Sequence, residues 1–364
     1  MHSQLHFQAD QIESVLAQHR LPARVTGGTV TPGTVRFEVS PGPGIRLRRI
    51  VELSEELALC LRVTHCRIFR HGGGLQIEVP REQRAGVSLL ELCASLGQAP
   101  PCTAALGLDH DGRPLLLNLP SPDVAHVLIA GTTGSGKTEL ARAMIASLAH
   151  WNRQSRLQLL LIDPKNRGLA PFCALPHLLG PVVTEAEAAV QALAEMVQEM
   201  VRRDQQGCSQ PEVVIVIDEL ADLALAAPKE VQQHLSRLAQ RGREAGLHLV
   251  VCTQKPTAGV VGTLVKANFP VRLVGAVVTP EEAKVATGLA RTGAEKLLGR
   301  GDFLAVARGE VIRFQAAYIA EKDIRSVWRA DGDRGREAER LRSTGTEGEA
   351  SLPQRLAGYL KRVK

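Results

Sequence analysis

The run Gly131-Thr132-Thr133-Gly134-Ser135-Gly136-Lys137-Thr138 decides the fold of this chain. It fits the pattern G-x-x-x-x-G-K-[ST], in which a glycine-rich turn wraps a phosphate with backbone N–H groups and a helix N-terminus adds a favourable dipole. An apolar run at 126–130 precedes it and helical sequence follows it, as that pattern requires. The residues predict a P-loop for a nucleoside triphosphate, with Lys137 on the β and γ oxygens and Thr138 on Mg²⁺.

A second apolar run, 213–217, ends in the adjacent acids Asp218 and Glu219. At the tip of a buried strand, Asp218 can hold Mg²⁺ through water and Glu219 can orient or polarise the attacking water. Two neighbouring carboxylates suit this chemistry because the metal and the water lie side by side next to the γ-phosphate. The pattern is weak alone, but the P-loop some 80 residues upstream makes it a strong indication of a nucleotide hydrolase.

Polar residues end two further apolar runs. One run ends in Thr253-Gln254, which places Gln254 where it can sense the γ-phosphate at the carboxyl edge of the sheet. The alternative is that both side chains only satisfy backbone groups at a strand end. The other run ends in Asp163-Pro164-Lys165, where a solvated charged turn explains the sequence as well as a direct role does.

Hydrolysis between subunits needs a cation that stabilises the charge of the transition state. The sequence offers Arg241 and Arg243 at the end of a predicted helix at 229–245, and Arg272 within a later strand. Arginines at helix ends commonly face water and favour the negative end of the helix dipole. Local sequence therefore leaves the choice among the three open.

Composition restricts the class of protein. The chain has 364 residues with 44% hydrophobic and 23% charged residues, which is typical of a globular protein with two domains. Aromatic residues make up 3%, too few for a single-strand binder built on stacking side chains. The net charge of +6 permits a polyanionic partner. The seven cysteines form no C-x-x-C pair, and the sequence has neither a long apolar run nor a signal peptide, so we expect a cytoplasmic protein.

The order of the patterns predicts an α/β protein with a mainly parallel sheet, preceded by a small α+β domain. We expect the domains at 1–100, 101–328 and 329–364, the last being a flexible charged linker with a short basic segment that is either a helix or a solvated tail. The strands are expected near 126–130, 157–163, 213–218, 247–252 and 271–277. The helices are expected at 137–150, 185–203 and 229–245, and a hairpin at 303–307 and 311–318. In the small domain we expect a turn marked by Gly27, Gly28, Pro32 and Gly33, and a helix from Ile50 to Val63. Two short strands are expected from Cys66 to Val79, joined at Gly72-Gly73-Gly74.

Several blocks in the same order resemble the FtsK/SpoIIIE DNA translocases, within the FtsK/HerA branch of P-loop ATPases. They cover most of residues 106–320, and the small domain before them also resembles the one that precedes the motor in this family. The blocks are HVLIAGTTGSGKT at 126–138, IDPKNRGL at 162–169, LPHLLGPVVT at 175–184, VIDELADL at 216–223, LAQRGREAGLHLVVCTQKP at 238–256, LVKANFPVR at 264–272 and GAEKLLGRGD at 293–302.

The resemblance implies a RecA-like motor that assembles as a hexameric ring around double-stranded DNA and hydrolyses ATP with Mg²⁺ to move it. By position it assigns nucleotide and Mg²⁺ to Lys137 and Thr138, and metal and water to Asp218 and Glu219. By the same positions it assigns the phosphate sensor to Gln254. Among the three arginines it selects Arg243 as the finger that acts on the neighbouring subunit.

The membrane-spanning and winged-helix domains of the longer family members are not recognisable in the sequence. A separate membrane or sequence-reading partner is therefore left open. Two other functions also remain open: an ATPase motor for protein secretion or conjugative transfer, and a ring component that binds nucleotide without hydrolysing it. Intact Lys137, Thr138, Asp218 and Glu219 argue against the latter.

Overall fold

The computed structural model describes residues 2–30, 34–63, 65–71, 74–81, 86–254, 268–326 and 360–362. The chain divides into two compact units. The smaller contains Met1–Gly86 and His110–Gly112, and the larger contains Val87–Asp109 and Arg113–Lys364. The domain limits that we expect from the sequence, with a boundary near residue 100, remain a prediction.

The smaller unit is an antiparallel sheet with helices packed on one face. The strands follow the order β1-β2-β4-β3. Alternate residues of β2, such as Phe37, face a core that includes Ile12, Leu16 and Leu57 from the helices. Its elements are α1 (His2–Gln18), β1 (Ala23–Val30), β2 (Thr34–Pro41), α2 (Leu47–Val51), α3 (Ser54–Cys60), β3 (Arg67–His71) and β4 (Gly74–Pro80).

Two expectations for the smaller unit were wrong. The stretch with Gly27 and Gly28 was expected to be a turn, but it belongs to β1, whose pairing with β2 shifts register between Val25 and Gly27. The helix expected from Ile50 onward is two short helices, α2 and α3. The turn expected at Gly72-Gly73-Gly74 falls largely outside the described residues.

The larger unit is an α/β structure around one long sheet. Its strands are β5 (Val87–Ser88), β6 (Thr103–Asp109), β7 (Pro114–Asn118), β8 (Val127–Ala130), β9 (Leu157–Ile162), β10 (Glu212–Ile217), β11 (Leu247–Thr253), β12 (Val271–Val274), β13 (Asp302–Ala307), β14 (Glu310–Tyr318) and β15 (Leu360–Arg362). Its helices are α4 (Leu89–Leu96), α5 (Lys137–Trp151), α6 (Ala186–Gln206), α7 (Leu220–Ala226), α8 (Pro228–Arg241), α9 (Pro280–Thr287) and α10 (Glu321–Ile324), with 3-10 turns at Ala170–Phe172 and Ala294–Lys296.

The sheet is mixed rather than parallel throughout. Its parallel part has the order β12-β8-β11-β10-β9. Beyond β12 the sheet continues antiparallel through β13, β14, β6 and β7. The expected hairpin at 303–307 and 311–318 is therefore confirmed, whereas β6 and β7 were not expected. Strand β15 pairs with β7. Of the two possibilities for the basic segment at the end of 329–364, the helix is therefore wrong at Leu360–Arg362.

The parallel strands are apolar at nearly every position because both faces of the sheet are covered. In β10, Val214 and Val216 enter one core cluster, which includes Met144 of α5. Val213, Ile215 and Ile217 enter the other, opposite α6 and α8. This burial holds the carboxyl ends of the parallel strands at fixed positions along a single edge of the sheet. Within the described ranges, no helix combines the length and apolar character needed to cross a membrane.

Candidate functional site

The P-loop joins β8 to α5, as the sequence predicts. Gly136 has φ 101°, and a Cβ there would come within 2.8 Å of Gly301 N, so only glycine suits the position. The backbone of 299–301 supports the loop from outside, since Arg300 N donates to Gly134 O at 2.9 Å and Gly301 N donates to Ser135 O at 2.8 Å. The outward carbonyls are thus occupied, which leaves the N–H groups at the start of α5 for a phosphate.

Lys137 begins α5 and is only 6% exposed. Its Nζ donates to Thr132 O at 3.0 Å, so the ammonium group lies within the curve of the loop. Burial lowers the pKa of Lys137, while Cys252, Glu219 and Asp218 act in the opposite direction. A partly desolvated ammonium group gains strongly from an anion such as a phosphate.

Asp218 follows β10 and faces the P-loop helix. Its Oδ1 accepts a hydrogen bond from Thr138 Oγ1 at 3.2 Å. Burial raises the pKa of Asp218, and the nearby carboxylate of Asp163 raises it further. A hydroxyl and a carboxylate this close supply the few oxygen ligands that Mg²⁺ takes from a protein beside phosphates, so the pair fits that ion.

Glu219 is 3% exposed and lies between two backbone segments. Its carboxylate accepts from Ala221 N at 3.3 Å, which caps α7, and from Gln254 N at 3.2 Å. The side chain of Gln254 reaches the other way, and its Oε1 accepts from Thr133 Oγ1 at 3.0 Å. Gln254 therefore connects the P-loop to the second acid. The sheet order explains this contact, because β11 lies between β8 and β10.

Asp163 organises a turn instead of contacting the P-loop directly. It is fully buried and accepts from Leu169 N at 2.8 Å and from Lys165 N at 3.2 Å. Lys165 forms an ion pair with Asp222 of α7 at 3.0 Å. Arg142 of α5 holds the same turn by donating to Gly168 O at 2.6 Å.

Sequence reasoning missed Arg142 and Gly168. A signal for Arg142 existed, since it lies four residues after Thr138 and therefore on the same face of α5.

The three candidate arginines have different environments. Arg272 is partly buried, its Nε donates to Phe269 O at 3.4 Å, and burial lowers its pKa. Arg241 pairs with Asp204 at 2.7 Å. Arg243 is exposed, with one hydrogen bond to Pro122 O at 3.3 Å among the contacts of the described residues.

Helix α8 ends at Arg241, so the expected helix to residue 245 was wrong there, and Arg243 lies in the turn before β11. Strand β11 runs parallel to β8, which places its start at the edge opposite the P-loop. The seven residues of β11 separate Arg243 from that edge by about 20 Å. The structure thus brings Lys137, Thr138, Asp218 and Gln254 together but does not bring Arg243 to them.

Sequence models of two families match the chain. The model described as "FtsK/SpoIIIE family" matches residues 97–206 and 204–258, and the "FtsK alpha domain" model matches residues 1–81. The chain belongs to the FtsK/SpoIIIE family. Its relatives include the DNA translocase SftA of Bacillus subtilis, 36% identical in an alignment of 349 positions that covers 88% of this chain and 36% of that protein. The DNA translocase FtsK of Caldanaerobacter subterraneus is 37% identical in an alignment of 345 positions that covers 88% of this chain and 48% of that protein. The chain spans less than half the length of these FtsK/SpoIIIE relatives.

Solved structures agree with the fold of this FtsK/SpoIIIE family member. The pCW3 conjugation coupling protein TcpA, in a monomer form with ATPγS, is 18% identical with a TM-score of 0.61, covering 89% of this chain and 99% of that one. The cytoplasmic domain of the Type VII secretion ATPase EccC of Thermomonospora curvata is 24% identical with a TM-score of 0.54, covering 65% of this chain and 32% of that one. At these identities the likeness supports the P-loop ATPase fold alone.

Proposed function

We propose that the chain is the motor of an ATP-driven double-stranded DNA translocase that hydrolyses ATP at sites between the subunits of a hexameric ring. The observation that carries this is the division of the candidate residues between two edges of one sheet. The P-loop with Lys137 lies at one edge together with Asp218 and Gln254, and Arg243 lies exposed at the other edge. A site with this composition is completed only when a second copy brings its opposite edge to the first.

In this proposal Thr138 and Asp218 hold Mg²⁺, and Lys137 with the loop N–H groups holds the phosphates of ATP. Bound Mg²⁺ would neutralise charge on the β and γ oxygens. Glu219 orients and deprotonates the attacking water. Its carboxylate accepts hydrogen bonds from Ala221 N and Gln254 N, and it must exchange these for a hydrogen bond from the water. Gln254 connects that exchange to the P-loop through Thr133.

A second copy of the chain is the partner that the surface favours. Two large apolar side chains are exposed near the edge that carries the P-loop, Leu225 on α7 at 81% and Val278 after β12 at 72%. Covering these two side chains with a second copy would remove apolar surface from water, which is favourable. A head-to-tail contact of unlike edges closes into a ring when the rotation allows it. The number of six subunits rests on the family resemblance.

Double-stranded DNA is the proposed cargo because the curated relatives are named DNA translocases. The net charge of +6 and the pI of about 9.1 suit a phosphate backbone. A cytoplasmic location, and a separate membrane or sequence-reading partner, stay predictions. An ATPase motor for protein secretion or conjugative transfer is the alternative outcome of the test below.

The test is ATP hydrolysis with and without linear duplex DNA, followed by displacement of a triplex-forming strand. We expect DNA to stimulate hydrolysis, stimulation to fall steeply between low and moderate salt, and ATP to drive displacement. Lys137→Ala should abolish both activities, whereas Lys229→Ala, at an exposed lysine on α8, should leave them unchanged. Equal hydrolysis with and without duplex DNA would refute DNA as the cargo and favour the secretion motor.

A further inference from the structure

Arg203, near the end of α6, is a buried arginine outside the candidate site. It is 2% exposed, and its Nη1 approaches three backbone carbonyls, those of Ser209 at 3.3 Å, Pro211 at 2.7 Å and Ala245 at 2.9 Å. Burial of a guanidinium group is unfavourable unless its donors are satisfied. The two N–H donors of Nη1 share these three carbonyls, so Arg203 joins α6 to the loop at 209–211 and to the chain at Ala245.

The charge of Arg203 is balanced within α6. Its Nε donates to Glu199 Oε1 at 2.7 Å, one helical turn earlier. The neighbouring Arg202 also bonds Glu199, at 2.6 Å, and these contacts, the one from Arg202 foremost, lower the pKa of Glu199 to about 2. Arg202 is exposed on the helix surface and has no hydrogen bond to residues 242–246 among the contacts of the described residues.

Ala245, one of the three carbonyl partners, belongs to the turn at 242–246 that carries Arg243. Within this turn Gly246 N donates to Arg243 O at 3.0 Å, and Leu247 N donates to Gly242 O at 2.8 Å. The carbonyl of Ala245 lies two residues after Arg243 and is anchored by Arg203 to the end of α6. The buried guanidinium group of Arg203 therefore fixes the backbone next to Arg243, while the side chain of Arg243 remains exposed.

We propose that Arg203 is a positioning residue for Arg243, holding the turn at 242–246 so that the exposed guanidinium group enters the site of the neighbouring subunit. The inference rests on the proposed function, in which Arg243 acts on a second copy. Displacement of a charged group by about 1 Å is enough to reduce a catalytic rate by one to two orders of magnitude. Arg203 acts at a distance and contacts neither ATP nor the reacting atoms.

The test uses complementation between inactive variants in mixed rings. Lys137→Ala disables its own site but retains its Arg243, whereas Arg243→Ala retains its own site and lacks the finger. Random mixing of the two places an intact site against an intact finger at about a quarter of the interfaces in a closed ring. DNA-stimulated hydrolysis should therefore reappear on mixing. If it does not, the arrangement between subunits in the proposed function is refuted.

Arg203→Met keeps the bulk of the side chain and removes its donors. We expect its kcat to fall by about 10- to 100-fold with a KM for ATP within about twofold of the wild type. Mixing Arg203→Met with Lys137→Ala should restore hydrolysis, because Lys137→Ala supplies an intact finger. Mixing it with Arg243→Ala should not, because Arg203→Met and Arg243→Ala both lack a functional finger. The double variant Arg203→Met/Arg243→Ala should hydrolyse ATP no more slowly than Arg243→Ala alone.

The controls separate positioning from general damage. Arg202→Met loses a charge and the same Glu199 partner but should retain the wild-type kcat. Arg203→Lys keeps part of the hydrogen bonding, so its kcat should fall less than that of Arg203→Met. It should also be restored by Lys137→Ala and not by Arg243→Ala. This variant replaces Arg203→Met in the test if Arg203→Met does not fold. Two results would overturn the inference. One is that mixing with Arg243→Ala restores hydrolysis by an Arg203 variant. The other is that Lys137→Ala restores Arg243→Ala but does not restore the Arg203 variant.

Discussion

Gly168 lies against the carboxylate that we assign to Mg²⁺, and its replacement by alanine should displace that carboxylate. A Cβ at Gly168 would come within 2.5 Å of Asp218 Oδ2 and 3.0 Å of Asp218 Oδ1. The backbone of Gly168 cannot retreat easily, because its carbonyl accepts the 2.6 Å hydrogen bond from Arg142 on α5. The side chain of Asp218 is the part that is free to move.

The displacement follows from the contact distance. To reach ordinary van der Waals contact at 3.4 Å, Asp218 Oδ2 must move by about 0.9 Å. Asp218 is expected to hold Mg²⁺ through a water molecule of the octahedral shell, and a shift of about 0.9 Å would break a hydrogen bond of normal length to that water. We expect Gly168→Ala to raise the Mg²⁺ concentration for half-maximal ATP hydrolysis about tenfold, equivalent to about 1.4 kcal/mol of binding free energy.

The assay is a Mg²⁺ titration of ATP hydrolysis, with nucleotide binding measured separately in excess chelator. Binding without metal should change little, since Lys137 and the loop N–H groups are not displaced. Gly180→Ala is the matched control, because a Cβ there meets nothing within 4 Å. A Gly168→Ala protein with the wild-type Mg²⁺ dependence, or a Gly180→Ala protein with the same defect, would refute the assignment of Asp218 as the metal ligand.

Three further outcomes follow from the geometry of the site. Asp218→Asn should abolish Mg²⁺-dependent hydrolysis but raise Tm at neutral pH in calorimetry, because burial and Asp163 raise the pKa of Asp218 above the unfolded value of 3.8. This gain should shrink as the pH falls and vanish below 3.8, where the wild-type carboxyl is neutral in both states; a constant gain would contradict it. Gln254→Ala should lower kcat at least about tenfold with nucleotide affinity nearly unchanged, because its link to Thr133 is lost; an affinity loss alone would speak against a sensor. Leu225→Glu should weaken self-association in sedimentation velocity, since this leucine is 81% exposed beside the P-loop edge, and an unchanged distribution would remove it from the interface.

The P-loop and the acid pair could be predicted because their chemistry depends on short runs of sequence. Glycines at fixed spacing, a lysine at the start of a helix and two acids after a buried strand need no knowledge of distant contacts. The apolar strands β8 to β11 were equally accessible, since burial on both faces leaves continuous runs such as 213–217. The parallel part of the sheet and the positions of Lys137, Asp218 and Gln254 follow from these runs.

The remainder depended on contacts that the local sequence does not encode. Strand β1 contains Gly27 and Gly28, which read as a turn, and only pairing with β2 keeps them extended. Strands β6 and β7 extend the sheet antiparallel, and their short apolar runs gave no clear period. Helix α7 was missed because its seven residues are too few for a helical pattern, although Glu219 is the residue that caps it. Arg203 has an ordinary charged helix sequence around it, and nothing there signals burial.

The order of the strands connects the two edges of the larger unit. Strand β11 begins immediately after the turn that carries Arg243 and is followed directly by Gln254. The N–H of Gln254 donates to Glu219, and its Oε1 accepts from Thr133. This fully buried strand thus connects the exposed Arg243, the proposed finger, to the residue that contacts the chain's own P-loop. In the proposed ring, the two ends of β11 would belong to two consecutive sites, so seven residues of a single chain would connect each site to the next.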